Sequence, residues 1–323
     1  MRRMLFASVL VVAAYVVSCA EYEPLEFVED GDAASLSGLN GQVGGVPPSS
    51  PEFVPMPAPC TDPPSTPGGQ CQTGLRCAQA YNILLWGDYA GGVDVGGKIA
   101  VGGDLTMQSF SVGHQDEGGN VVVAGGDVTL SNGMVHGSVI HGGDAAVSQS
   151  VGFGGNGETV PGVGMDFGQC AAQICGTSVQ LAQLASSGNV EITEIENGHL
   201  LLRLVGNGAC FNTFRVDASV LSAAKHLAID VPAGATVVLN VDGGPLTLSN
   251  FGIDYGATDF QQFVINAPFA TEVAINSFGL DGSLLACDAT VTFNNGQLRG
   301  TMVAWNLAGN GEFHDWAFQG CLP

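Results

Sequence analysis

Charge is scarce in this sequence and is almost all of one sign. Only 12% of the 323 residues are charged, and 30 Asp and Glu residues against 8 Lys and Arg residues give a net charge of −22. So few charged residues, together with 48 glycines, exclude a helical bundle or coiled coil. We expect no nucleic-acid partner, because the chain has too few cations to displace the counterions of a phosphate backbone.

The N-terminus combines a short basic start with an apolar run. Two arginines precede the run Met4–Val17, which is too short to span a bilayer comfortably. The run ends in Ser18-Cys19, which resembles the bacterial lipobox and predicts a lipoprotein signal peptide of residues 1–18 and lipidation of Cys19. Ala20 does not resemble an inner-membrane retention signal, so we expect the outer membrane or the cell surface. The alternative is an ordinary secretory signal in which the cysteine is incidental.

The remaining cysteines agree with export. Eight is an even number, which predicts up to four disulfides in an exported chain. The Cys-x-x-Cys spacing of zinc sites is missing, and the six histidines are predicted to form no ligand cluster, so we expect no cofactor. Cys287 and Cys321 are the first expected pair, while Cys170 and Cys175, five apart on a predicted helix, are expected to have different partners. The eight are Cys60, Cys71, Cys77, Cys170, Cys175, Cys210, Cys287 and Cys321.

Proline is concentrated between residues 20 and 78. Ten of the fifteen prolines lie there, with eight acidic residues and one basic residue. The segment lacks apolar periodicity, so we expect neither helix nor sheet. We predict that residues 19–78 are a lipidated cysteine followed by an acidic, Pro-rich tether, which at roughly 3 Å per residue could hold a domain more than about 100 Å from a bilayer.

From residue 79 onwards, short apolar runs alternate with Gly-Gly turns. Three Gly-Gly-Asp units follow one another at spacings of 23 and 17 residues, and a later segment repeats the Gly-Gly alone. Strand-turn-strand repeats of this length are typical of a β-solenoid. We therefore predict a mainly β fold for residues 79–323, a parallel β-solenoid or β-helix. The four segments are Ile99–Met107, Val122–Leu130, Val139–Val147 and Val241–Leu248.

Alternation along each predicted strand separates inward from outward side chains. The expected inward residues are Leu105, Met107, Val128, Leu130, Ala145, Val147, Leu246 and Leu248. The expected outward residues are Asp104, Thr106, Gln108, Asp127, Thr129, Ser131, Asp144, Ala146, Ser148, Thr247 and Ser249.

One segment, residues 164–187, departs from the strand pattern. Its apolar residues recur at intervals near three and four, and Gly188 follows it. This spacing predicts one long amphipathic α-helix. A solenoid coil cannot absorb such a helix, so we expect it along the flank, covering a hydrophobic face. The apolar positions are Phe167, Cys170, Ile174, Leu181 and Leu184.

Five segments together resemble the choice-of-anchor A family. The resemblance covers residues 79–323 and rests on the order and spacing of the segments. It implies an exported bacterial protein with an adhesive domain and supplies no catalytic residues; the overall design also resembles ice-binding solenoids with a flanking helix. The sequence departs from the family in having Cys287 in place of the usual Pro, and Cys321 near its end. The segments are Tyr81–Tyr89, Gly97–Asp104, Leu284–Ala289, Asn295–Gly300 and Phe318–Pro323.

Exposed hydroxyl groups provide the sharpest binding hypothesis. Thr106, Thr129 and Thr247, with Ser131 and Ser249, would form a ladder at about 4.8 Å strand spacing, which could match a repeating ligand such as a glycan or ice. The alternative interpretation is that threonine simply favours exposed strand positions. The three tryptophans could stack on sugars, although core or cap packing is the favoured interpretation; they are Trp86, Trp305 and Trp316.

Acidic residues offer two weaker hypotheses. Asp104, Asp127 and Asp144 could bind Ca²⁺, but the known Ca²⁺-binding repeat has a different glycine pattern and a nine-residue spacing, so bonds to turn backbone are favoured. Glycan hydrolysis needs paired carboxylates, and a lyase also needs cations, of which the domain has five. The candidate pairs are Asp116 with Glu117, Glu191 with Glu194 and Glu196, and Asp254 with Asp259.

We therefore expect a lipid-anchored, non-catalytic adhesin or surface-binding module whose partners are the membrane, through its lipid, and an extracellular glycan or matrix surface. An ice- or polysaccharide-binding solenoid is the first alternative, and a carbohydrate-active enzyme is the second.

Overall fold

Short strands separated by turns make up the chain before its long helix. The computed structural model describes residues 72–323, so the signal peptide, Cys19, Cys60, Cys71 and the predicted tether up to residue 71 lie outside the described residues. Twelve strands precede the helix: β1 Gln72–Thr73, β2 Ile83–Leu85, β3 Tyr89–Gly91, β4 Asp94–Val95, β5 Ile99–Val101, β6 Leu105–Val112, β7 Asn120–Ala124, β8 Val128–Val135, β9 Ser138–His141, β10 Ala145–Val147, β11 Val151–Phe153 and β12 Thr159–Pro161.

The rest of the chain contains two α-helices and fifteen further strands. These are α1 Phe167–Gln183, β13 Asn189–Glu194, β14 Leu200–Val205, β15 Phe211–Asp217, α2 Ala218–Ala223, β16 Ala224–Asp230, β17 Thr236–Asp242, β18 Leu246–Ser249, β19 Gly252–Asp254, β20 Phe263–Asn266, β21 Glu272–Asn276, β22 Gly279–Asp281, β23 Ser283–Asn294, β24 Gln297–Arg299, β25 Met302–Gly309, β26 Glu312–His314 and β27 Cys321–Leu322. Short 3₁₀-helices occupy Arg76–Ala80, Glu196–Gly198 and Phe260–Gln262.

The fold is mainly β, as predicted, and its largest sheet is built from parallel pairings that fall into three series. The first series runs β15-β17-β20-β23-β25-β2-β5-β7-β9-β12. The second runs β18-β21-β23-β25-β3-β6-β8-β10. The third runs β22-β24-β26-β4-β6-β8-β11. The long strands β6, β8, β23 and β25 each bend from one series into another, and all three series contribute to one buried apolar cluster.

The chain does not follow the order of the strands. In the first series β2, near the beginning of the chain, pairs with β25, near its end, so that Leu84 lies beside Val303. The strands before α1 extend to one side of this junction and those after α1 to the other. A separate four-stranded sheet contains the antiparallel pair β13 and β14 followed by β16 and β19.

The Gly-Gly turns allow neighbouring strands to approach closely where the chain passes from the first series to the second. The backbone N–H of Gly126 donates to the carbonyl of Gly103 at 2.9 Å, and Gly143 donates to Gly126 at the same distance. A Cβ atom on Gly125 would lie 2.3 Å from the carbonyl oxygen of Gly102. Any side chain here would force the two turns apart, because a Cβ atom is essentially never found within 3.0 Å of a heavy atom of a non-adjacent residue.

The predicted helix forms within its expected range and covers the first series. The side chain of Asp166 caps it by accepting from the N–H of Gln169 at 2.8 Å. Ile174 and Leu181 are fully buried in a second apolar cluster with outward side chains of the first series, such as Leu84 and Val123. Buried polar contacts also hold it: Asn266 donates to the carbonyl of Ser178, and Asn240 to that of Leu181, both at 2.9 Å.

Disulfides fix α1 at two points. Cys77 is bonded to Cys170, and Cys175 to Cys287. The prediction that Cys170 and Cys175 have different partners is confirmed, since their side chains point to different sides of the helix. The expected pair of Cys287 with Cys321 is wrong, because α1 lies over β23 and brings Cys175 to Cys287; Cys210 and Cys321 are also in disulfides.

Candidate binding surface

Small outward-facing side chains form one row across all eight strands of the second series; six are exposed, and Ala274 and Ala308 are half-buried. Neighbouring members are paired residues in the parallel ladder, so the row is in register from end to end. At about 4.8 Å per strand, eight strands span roughly 34 Å. We call it the Thr/Ala row: Thr247, Ala274, Thr292, Ala308, Ala90, Thr106, Thr129 and Ala146.

The three predicted threonines all lie in this row, but not side by side. Thr106 and Thr129 are paired, whereas Thr247 lies at the far end, next to α2, where its N–H donates to the Ser222 hydroxyl at 2.9 Å. The sequence analysis missed Thr292 and the alanines between them. The sequence marks these residues only through the alternation within β3, β21, β23 and β25. Their common register depends on pairing between distant segments.

Ser131 and Ser249 lie in a second row, two residues further along each strand. Ser131 pairs with Gln108 and Ser249 with Asn276, and both serines are half-buried. Beyond this row the backbone turns at five positions with positive φ angles: Ser109, Asn132, Asn250, Ser277 and Asn295. Serine and asparagine are favoured there because their short polar side chains tolerate the left-handed conformation.

The inward alternation is confirmed except at one end of the sheet. Leu105, Met107, Val128, Leu130, Leu246 and Leu248 are buried. Ala145 is exposed and Val147 half-buried, contrary to prediction. The reason is that β10 is the last strand of the second series within residues 72–323, so no further strand covers them.

Acidic residues form a third row along the other side of the Thr/Ala row. The Oδ1 atom of each carboxylate accepts the backbone N–H of the next aspartate: Asp88 from Asp104 at 2.8 Å, Asp104 from Asp127 at 2.8 Å, and Asp127 from Asp144 at 2.7 Å. Asn306 begins the row by accepting the N–H of Asp88 at 2.7 Å. The favoured prediction, that these carboxylates bond to turn backbone, is confirmed for Asp104 and Asp127. Asp144 instead contributes its N–H at the end of the row.

Replacing Asp104 tests whether the row needs charge or only an acceptor. We expect Asp104→Asn to keep or raise the stability, because the amide oxygen can accept from Asp127 as Asn306 does from Asp88, and one of four like charges is removed. Asp104→Ala should lose about 1 kcal/mol, because the N–H of Asp127 loses its acceptor. Urea unfolding compares the two. Equal losses in both variants, or a melting temperature that rises with Ca²⁺ only in the unmodified protein, would favour a cation site instead.

Four of the other candidate carboxylates lie against a lysine or arginine side chain or accept a bond from turn backbone. Asp116 pairs with Lys98 at 2.8 Å, and Glu191 lies 3.7 Å from Arg203. Asp254 and Asp259 accept backbone N–H groups two residues ahead in their own turns. Burial, and secondarily the nearby Asp116 carboxylate, raises the pKa of Asp315, which Lys98 partly offsets. No group of three or more His, Cys, Asp or Glu within residues 72–323 is arranged to hold a metal ion.

Each basic residue of the strand-rich part also has an acceptor. Arg215 bonds to Asp242 at 2.6 Å, and Lys225 donates to the carbonyl of Ser249 at 2.8 Å. Arg203 and Arg299 bond to Asp230 and Asp281 respectively. Together with Lys98 these are the five cations of residues 79–323, and each of them bonds to an acceptor of the chain itself.

The tryptophans depart in part from their expected surroundings, and one histidine is buried. Trp86 packs against the second apolar cluster, in agreement with core or cap packing. Trp305 and Trp316 are 49% and 43% exposed, and the ring centre of Trp316 lies 5.5 Å from that of Phe260, edge-on. His141 is buried in β9 and contacts the carbonyl of Gly143 at 2.7 Å.

Comparison with known proteins identifies the family. The family model described as Putative Ice-binding-like adhesive domain matches residues 74–315, which is most of the chain and nearly all of its described part. No curated protein and no solved structure matches the chain. Within residues 72–323, none of the helices is long and apolar enough to cross a bilayer. Because this match covers more than half of the chain, the chain belongs to the ice-binding-like adhesive domain family.

Proposed function

We propose that this protein is a non-catalytic, cell-surface adhesin that binds through the Thr/Ala row. The observation that carries the proposal is the unbroken register of eight small side chains on adjacent parallel strands. Methyl and hydroxyl groups held at a fixed spacing favour a rigid ligand surface whose own groups repeat at the same interval. Membership of an adhesive domain family supports the same role.

The proposal includes a solenoid architecture. Three parallel series that share one buried cluster, with strands that bend from series to series, are what a three-sided parallel β-solenoid requires. In such an arrangement the second series is one flat side. The first is covered by α1 and so cannot bind a large surface. Of the two remaining sides, the second bears the Thr/Ala row, six of whose eight residues are exposed.

A neutral repeating ligand fits this side better than an anionic one. With 22 acidic and 5 basic residues, the segment 79–323 has a net charge of −17, and each of its five cations already bonds to an internal acceptor. The row of aspartates beside the Thr/Ala row would repel a polyanion. We therefore propose a neutral polysaccharide or an ice surface as the ligand.

Several contacts support a non-catalytic role. In each candidate hydrolytic set at least one carboxylate lies against a cation or accepts a bond from turn backbone. Ser111, His136 and Glu117 contact one another in the sequence serine, histidine, carboxylate that a hydrolase triad shows. The Ser111 hydroxyl lies 3.5 Å from Nε2 of His136, and Nδ1 of His136 lies 3.1 Å from Glu117. The N–H groups of Ser111 and Gly113, however, donate to carbonyls of the neighbouring strand, so they do not form an oxyanion hole.

The location follows from the sequence at the N-terminus. We propose that the chain is exported, that Cys19 carries the lipid, and that the segment between Cys19 and β1 tethers the domain to the outer membrane or cell surface. The predicted tether ends earlier than residue 78, because Leu75 and Ala78 are buried in the domain. An adhesive domain is useful only outside the cell, which supports this location. The resemblance to the choice-of-anchor A family adds the expectation that the anchor varies between relatives while the adhesive domain is retained.

Replacing Thr129 with Tyr tests the proposed binding side. Thr129 is exposed, so we expect a folded variant whose large ring prevents a flat surface from approaching the row. Binding should fall about tenfold or more, equivalent to roughly 1.4 kcal/mol or more. Two readouts separate the ligands: thermal hysteresis and ice recrystallisation report ice, and an array of neutral glycans reports polysaccharide.

The matched control is Thr193→Tyr, which changes an exposed threonine of β13, outside the second series. We expect it to bind as the unmodified protein does. Undiminished binding by a folded Thr129→Tyr variant would show that another surface is responsible.

A further inference from the structure

Two histidines that are distant in sequence meet beside the third series of strands. His114 follows β6 and His136 follows β8, and their ring centres are 6.1 Å apart with the planes inclined at 66°. Each Nδ1 atom faces a carboxylate: that of His114 is 3.2 Å from Asp94 and that of His136 is 3.1 Å from Glu117. The Nδ1 atom of His114 is buried, and Asp94 approaches it outside the angle of a hydrogen bond.

This pairing is the one that metal-binding histidines show in proteins. A ligating imidazole almost always places its second nitrogen against a carboxylate or carbonyl, which orients the ring and raises its basicity. Nδ1 of His136 is engaged in this way by Glu117, and Nδ1 of His114 faces Asp94 at 3.2 Å without a hydrogen bond, which leaves both Nε2 atoms for an ion. That of His114 has no hydrogen-bond partner among residues 72–323, and that of His136 faces the Ser111 hydroxyl at the long distance of 3.5 Å.

The ring separation also fits one shared ion. With metal–nitrogen bonds of about 2.0–2.1 Å, two imidazoles on one ion have ring centres roughly 5 Å apart at a tetrahedral angle and about 6.4 Å apart when collinear. The observed 6.1 Å lies within this range, at an N–metal–N angle wider than tetrahedral, so that a tetrahedral ion requires the two rings to move about 1 Å closer. An open depression lined by Val93, Asp94, Ser109, Ser111 and His114 gives access from solvent.

We infer that His114 and His136 form a binding site for a first-row transition metal ion such as Zn²⁺, with Asp94 and Glu117 as orienting carboxylates. Imidazole nitrogen favours zinc, copper and nickel over calcium and magnesium. Two protein ligands leave the remaining positions to water. The acidic domain raises the local concentration of cations, and the site is separate from the Thr/Ala row.

Zinc titration of the purified chain tests the inference. We expect saturable binding of one Zn²⁺ by calorimetry, and shifts of the side-chain nitrogen resonances of His114 and His136 in NMR spectra. His114→Gln and His136→Gln should each weaken binding more than tenfold. Glu117→Gln should weaken it about 10- to 100-fold, as for orienting carboxylates elsewhere.

The matched control is His199→Gln, which removes an exposed histidine elsewhere and should leave zinc affinity unchanged. Circular dichroism checks that each variant is folded. The inference is overturned if the unmodified protein binds no Zn²⁺, if the folded His114→Gln/His136→Gln double variant binds it equally well, or if the control loses as much as either variant.

Discussion

Gly125→Ala is expected to destabilise the protein by about 3 kcal/mol, at the upper end of the usual cost of overpacking. The added methyl would lie 2.3 Å from the carbonyl oxygen of Gly102, which is backbone and cannot rotate away. The two turns would have to separate, and the hydrogen bonds that join them, from Gly125 to Val101 and from Gly126 to Gly103, would lengthen. Urea unfolding monitored by circular dichroism measures the loss.

The same substitution at Gly176 is the control and should have the opposite sign. Gly176 lies inside α1, and a Cβ there would meet no atom within 4 Å. Because alanine favours the helix over glycine, we expect Gly176→Ala to raise the stability by about 0.5–1 kcal/mol. If both variants lose stability equally, the requirement for glycine at position 125 does not come from the close approach of the turns.

Removal of the Cys175–Cys287 disulfide should cost about 4–5 kcal/mol. The bond closes a loop with a sequence separation of 112 residues, and the loss of chain entropy in the unfolded state grows with loop length. Alanine at both positions avoids burying a new hydroxyl, since Cys287 is 4% exposed. Denaturant unfolding of the Cys175→Ala/Cys287→Ala variant measures the change.

The folded state of this variant should keep α1 in place. Ile174 and Leu181 remain buried against the first series, and Asn240 and Asn266 still donate to helix carbonyls. We therefore expect native circular dichroism and unchanged protection of the α1 amides from hydrogen exchange. A loss of less than about 1 kcal/mol, or exposure of α1 in the native state, would contradict this account.

Local patterns in the sequence predict those features of the fold that depend on neighbouring residues. Alternation identifies Leu105 and Thr106 as inward and outward, and the Gly-Gly-Asp repeats predict that β6, β8 and β10 lie side by side. The three- and four-residue spacing predicts α1. Each is a consequence of backbone periodicity within one segment.

Pairing between distant segments is what the sequence does not reveal. Nothing in β2 or β25 indicates that Leu84 and Val303 are neighbours, because apolar strands of this kind can pair in many registers. For the same reason Ala90, Ala308 and Thr292 cannot be recognised as part of the Thr/Ala row. The prediction names three of its four threonines, together with Ser131 and Ser249 of the second row. The meeting of His114 with His136 likewise depends on loops whose shapes no periodicity determines.

The disulfides also determine how the domain would respond to tension. A pull that enters through the chain before Gln72 first meets the two-residue ladder with Leu322 and Cys321, and then Cys77. From there a covalent route runs through Cys170 and one part of α1 to Cys175 and Cys287, in the middle of the first series. Peeling from the N-terminal side therefore stops at residue 77. Reduction would free the 93 residues up to Cys170, and the attachment could then lengthen by roughly 300 Å.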